Sequence, residues 1–75
     1  MDTTTATGRL WGSIIRERRE MMKMSQQELA AHLEVRQSAV SGWERGYRIP
    51  SRRNLALLCD ALGLPPSAFV YEVAS

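Results

Sequence analysis

The chain has one cysteine, one histidine and no apolar run that approaches the length of a membrane span. Cys59 alone closes no intrachain disulfide, and its place inside the apolar run LALLCDALGL predicts a small buried thiol. His32 has no Cys or second His at a ligand spacing, so no metal site is expected. Nor is there a glycine-rich phosphate loop, or an acid and base paired around a plausible cleft, which leaves no basis for an enzyme or a cofactor. Residues 1–8, MDTTTATG, lack the basic start and apolar stretch of a secretory signal; a flexible N-terminal tail and a cytoplasmic, nucleoid-associated protein are expected. β-Branched residues do not cluster and no Asn-Gly or Asp-Gly occurs, so hairpins are not expected.

What remains is a chain of 75 residues with 44% apolar side chains scattered as Leu, Ala, Ile, Val and Met, which predicts one folded domain with one core. The net charge of +2 conceals an asymmetry: all 10 Lys and Arg lie between Arg9 and Arg53, whereas residues 54–75 carry only Asp60 and Glu72. Positive charge confined to the first two thirds suits a partner made of phosphates, although a charged helical surface looks similar.

Apolar residues Leu10, Trp11, Ile14, Ile15, Met21 and Met22 recur at helical spacing and predict a first helix, with Arg16, Glu17, Arg19 and Glu20 on or near its wet side. The string SQQE at Ser25 is a capping box ahead of a second helix, Gln26 to Leu33. A third runs from Arg36 to Arg45 and ends at Gly46. Ser51 caps a fourth over Arg52–Leu62, with Leu55, Leu58, Cys59 and Leu62 on its inner face. Pro66 starts a short fifth through Val70. The class is all-α.

Helices two and three, joined by a short turn, form the kind of unit that can lie across a major groove. Leu29, Ala30, Leu33, Val35, Val40 and Trp43 supply its inner faces. Gln37, Ser38, Ser41 and Gly42 fall on the opposite side, where short or planar side chains leave room for a groove floor. The stretch SQQELAAHLEVRQSAVSGWERG resembles the helix-turn-helix of the phage repressor and Cro family, also called XRE-like, and the likeness extends from about Leu10 through Val70. It implies a five-helix lambda-repressor-like domain over residues 9–70 that binds palindromic double-stranded DNA as a dimer. It further implies base-reading roles for Gln37, Ser38, Ser41 and Gly42, a phosphate-bracing role for Gln26, and an ion pair between Arg19 and Glu44. Gly42 stands where a longer polar residue is usual.

Two departures stand out: Glu34 replaces the usual Gly of the turn, and Arg36 replaces the usual Ser cap, each costing on the order of 1 kcal/mol. Arg36, Arg45, Arg48, Arg52 and Arg53 are candidate backbone contacts. The expected function is transcriptional regulation, most simply repression, without a small-molecule effector; an antitoxin that binds its own operator is the alternative. A weak homodimer consolidated by DNA is expected, through Leu57, whichever of Phe69 and Val70 turns outward, and Tyr71 and Val73 in the tail 71–75.

Overall fold

The computed structural model describes residues 3–69: helices α1 (Thr3–Met21), α2 (Gln26–Leu33), α3 (Gln37–Arg45) and α4 (Arg52–Leu62), followed by a 3-10 turn, Pro66–Phe69. No strand occurs among the described residues. Among the described residues there are four α-helices, and the expected fifth is the 3-10 turn. Its tight register has a local cause, because consecutive prolines offer no N–H and the Ala68 N–H closes on the Pro65 carbonyl at 2.9 Å.

α1 begins at Thr3, so residues 3–8, whose composition reads as a polar tail, are wound into the helix. The face it buries also differs from the apolar spacing. Leu10, Met21 and Met22 are exposed, and the inward stripe is Gly8, Trp11, Gly12 and Ile15. The two glycines are there for closeness. A Cβ on Gly8 would stand 2.9 Å from the Gly46 carbonyl oxygen, and one on Gly12 would stand 2.7 Å from that of Glu44 while colliding with that of Trp43. The last turn of α3 therefore rests directly on the α1 backbone, an approach that any side chain would prevent.

α2 starts as the sequence predicts. The Ser25 hydroxyl accepts from the Glu28 N–H at 3.0 Å, and the Glu28 carboxylate accepts from the Ser25 N–H at 3.0 Å. Ser51 caps α4, its hydroxyl accepting from the Asn54 N–H at 3.2 Å. Each helix ends by folding the chain back in a left-handed residue, with the N–H of the next residue returning to a carbonyl of the last turn: Met24 to Arg19, Val35 to Ala30, Tyr47 to Gly42 and Leu64 to Cys59. Gly46 and Gly63 take that conformation freely, but Lys23 (φ 55°) and Glu34 (φ 58°) bear a Cβ there and carry the strain.

The core lies where the four helices converge. Ile15, Leu29, Val40, Leu58 and Leu62 are fully buried, and Trp43 is 4% exposed, filling the space inside α3. Phe69 closes the bottom, edge-on to Trp11 with ring centroids 5.7 Å apart. α4 presents a wider apolar arc than its inner stripe suggests: Leu57 and Ala61 also pack on the core, as do Leu55 and Cys59.

One polar junction sits against this core. Arg19 grips Glu44 with one edge of its guanidinium, Nε to Oε2 at 2.6 Å and Nη2 to Oε1 at 3.0 Å, while Nη1 donates to the Met24 carbonyl at 2.7 Å. The side chains are only 11% and 4% exposed. Hydrogen bonding to Glu44 pushes the guanidinium further above its ordinary pKa, outweighing the opposite effect of burial. The fork spans three pieces of chain: α1, the turn after it and the end of α3.

Two stability measurements follow from these contacts. Arg19→Ala and Glu44→Ala each orphan a nearly buried charge and should each cost about 3–5 kcal/mol in urea unfolding. The double variant should lose less than their sum by about 1–3 kcal/mol; strict additivity would show that the two do not act as a unit. For Glu28, the hydrogen bonds from Ser25 hold the carboxyl below its ordinary range. Since the folded value is the lower one, this contribution is present above the unfolded carboxylate pKa and is lost as pH falls through the folded one. Glu28→Gln should flatten that acid limb, and an unchanged limb would count against the capping contact.

Candidate nucleic-acid interface

α3 is held from behind and bare in front. Val40 and Trp43 face the core, its last carbonyls rest on Gly8 and Gly12, and Glu44 is gripped by Arg19, so the helix is fixed in rotation and height. The outer side then carries Gln37, Ser38, Ser41 and Gly42 in that order. Gln37 and Ser38 are exposed, and Ser41 and Gly42 half-exposed. Ser38 and Gly42 stand one turn apart on a common line, with Ser41 beside them. The surface they form is low, polar and without a carboxylate.

Arginines stand at both ends of this face. Arg36 is the N-cap residue of α3 in extended conformation and makes no side-chain cap hydrogen bond, so it occupies the cap position without doing the capping chemistry of a serine. Its cation is exposed beside the first turn of the helix, next to exposed Glu34. At the other end Arg45 and Arg48 border a shallow hollow of about 290 Å³ whose remaining walls are Ser38, Ser41, Gly42 and Tyr47. Tyr47 is 78% exposed, an unusual posture for a large ring. Among the described residues no carboxylate forms an ion pair with Arg36, Arg45 or Arg48.

The remaining candidates separate into different roles. Gln26 is half-buried, and its Nε2 donates to Glu44 Oε1 at 3.0 Å, so the start of α2 is tied to the junction that locks α3. Arg53 is exposed at the start of α4. Arg52, also exposed, borders a separate and larger hollow between α4 and the 3-10 turn, shared with Leu55, Cys59, Asp60 and Phe69. That hollow lies apart from the outer face of α3 despite its size. Arg18 is a structural cap: its Nε donates to the Leu62 carbonyl at the end of α4 at 2.7 Å. Arg16 pairs with Glu20 at 3.6 Å on an open surface, a contact worth about 0–1 kcal/mol.

For the expected dimer surface, Phe69 is 7% exposed and belongs to the core, because the 3-10 turn directs its ring onto Trp11. Leu57 is half-buried on α4, and Val70, Tyr71 and Val73 lie outside the described residues. Burial and the neighbouring Asp60 charge push the Cys59 thiol up from its ordinary pKa. Among the described residues no cluster of His, Cys, Asp and Glu could hold a metal ion, and no helix is long and apolar enough to cross a membrane.

Residues 15–69 match the helix-turn-helix family. The HTH-type transcriptional regulator DicA of Escherichia coli K12 is 37% identical over 60 residues, which make up 80% of this chain and 44% of DicA, so the chain spans less than half the length of that relative. Among solved structures, the restriction-modification controller protein C.AhdI from Aeromonas hydrophila superposes with a TM-score of 0.79 at 34% identity, over 87% of this chain and 98% of its own. The clp gene regulator ClgR from Corynebacterium glutamicum does so with a TM-score of 0.78 at 28% identity, over 84% of this chain and 67% of its own. With most of its length matched by the family and its architecture shared with such regulators, the chain belongs to the helix-turn-helix family, in the Cro- and phage-repressor-like (XRE) group.

Proposed function

We propose that the chain is a sequence-specific double-stranded DNA-binding regulator of transcription, a repressor that occupies a two-fold symmetric operator. The observation that carries this reading is the outer face of α3: rigidly held, low, polar, free of carboxylates and bracketed by exposed arginines. Such a face enters a major groove, where Gln37 meets an adenine through both edges of its amide and Ser38 and Ser41 meet the neighbouring bases. Arg36, Arg45 and Arg53 take the phosphates on either side. Gln26 joins them, since Glu44 takes one of the two N–H bonds of its amide nitrogen and the other suits a phosphate. Regulators named among its relatives and structural neighbours support a role in transcription.

One short helix reads too few base pairs for useful selectivity at physiological salt, so two copies bind half-sites about 34 Å apart. Their contact is weak in solution and consolidated by DNA. It uses the half-exposed edge of Leu57 with Val70, Tyr71 and Val73, leaving the arginines of α3 to the duplex.

The roles of Gln37 and Arg53 separate experimentally. Gln37→Ala should cost about 1–3 kcal/mol on the preferred duplex and flatten discrimination at one base pair per half-site. Arg53→Ala should weaken all duplexes alike and lower the slope of log affinity against log salt by about one. Equal losses from Gln37→Ala on preferred and random duplexes would remove Gln37 from the base-reading set.

A further inference from the structure

Position 42 lies in the middle of the outer face of α3, yet it is glycine and has nothing with which to read a base. A side chain there would lie against the stem of Arg48. A Cβ on Gly42 would meet the methylenes of Arg48, with Cδ at 3.5 Å, Cγ at 3.6 Å and Cβ at 3.9 Å. These are ordinary van der Waals separations, so the Arg48 stem lies over position 42 at the distance at which a neighbouring side chain would touch a Cβ there. The backbone holds it there: the N–H groups of Tyr47 and Arg48 both return to the Gly42 carbonyl, at 3.0 and 3.3 Å. Arg48 shares its hollow with Ser38 and Ser41, both too short to obstruct it.

We propose that Arg48 is a base-reading residue, standing in for the missing side chain of position 42 and directed at a guanine. This deepens the DNA-binding reading above and rests on it. Arg48 is supplied by the loop after α3, where phosphate contact is the simpler expectation. Its stem nevertheless lies over position 42 of the face that fits the groove and shares a hollow with Ser38 and Ser41. A guanidinium carried there by a packed stem presents two parallel N–H bonds, which match the O6 and N7 acceptors of guanine in the major groove. The glycine is thus part of the recognition surface as the seat of the arginine. Arg45, one turn beyond Ser41 at the end of the helix, remains on the rim.

The test is selection of bound sequences from a random duplex pool by the wild-type protein, Arg48→Lys, Arg48→Ala and Gly42→Gln. Arg48 is exposed, and Arg48→Lys keeps both charge and stem while removing the planar fork. The wild type should select guanine at one position per half-site distinct from the one governed by Gln37. Both Arg48 variants should flatten that position by about 5- to 150-fold and leave the others intact. Gly42→Gln, whose side chain competes for the same space, should change the preference at that same position. If Arg48→Ala instead weakens every sequence equally, keeps all preferences and lowers the salt slope by about one, Arg48 is a phosphate contact and the inference fails while the DNA-binding reading stands. A wild-type protein that binds duplexes without any selection would overturn both.

Discussion

The Arg19–Glu44 fork is the interaction on which the placement of α3 depends. α3 is nine residues long and would not persist alone, so its orientation is set by what holds it. Val40 and Trp43 provide adhesion, but apolar burial is tolerant of small rotations. A bidentate ion pair with 2.6 and 3.0 Å bonds is not, because each degree of roll lengthens two charge-assisted hydrogen bonds in a poorly hydrated place. The same guanidinium binds the Met24 carbonyl, and the same carboxylate binds Gln26, so one junction sets α1, the start of α2 and the end of α3 together. Desolvating two charges is costly, and an apolar replacement of equal shape could be as stable. Geometry is the property that such a replacement would lose.

The second support is the absence of side chains at Gly8 and Gly12. They let α1 approach the last carbonyls of α3 closely enough for Arg19 to reach Glu44 over a short span. The two devices are complementary: one removes bulk to allow contact, the other adds direction once contact is made. Their combined effect is to spend all the attachments of α3 on its inner side, leaving Gln37, Ser38 and Ser41 without structural duties.

Much of this was legible in the sequence where the signal is local. α2 and α4 begin at Ser25 and Ser51 and end where their apolar spacing stops, because capping and packing agree there. α1 was harder, since glycine has no hydrophobic signature and weakens a helix, so Gly8 reads as the end of a tail and Gly12 gives no sign of the buried stripe. Leu10, Met21 and Met22 drew attention in its place, although apolar residues at a helix surface are common. The 3-10 turn escaped because helical spacing over four residues cannot distinguish it from the start of an α-helix. Within the site, Gln37 and Ser38 follow from helical spacing together with family resemblance. The packing of Arg48 on Gly42 is a contact across a turn, invisible to any pattern within one helix. Arg18 is another such case: its partner, the Leu62 carbonyl, is backbone, and no residue type announces it.

The central claim is that the outer face of α3 is the surface that meets DNA. Backbone amide shifts of the isotopically labelled protein, recorded while its selected duplex is titrated in, test it most directly. The account predicts the largest changes at Gln37, Ser38, Ser41, Gly42 and Arg48, weaker ones at Gln26 and Arg53, and almost none at core positions Ile15 and Leu58. A footprint centred on the hollow between α4 and the 3-10 turn, with the amides of α3 unmoved, would contradict it.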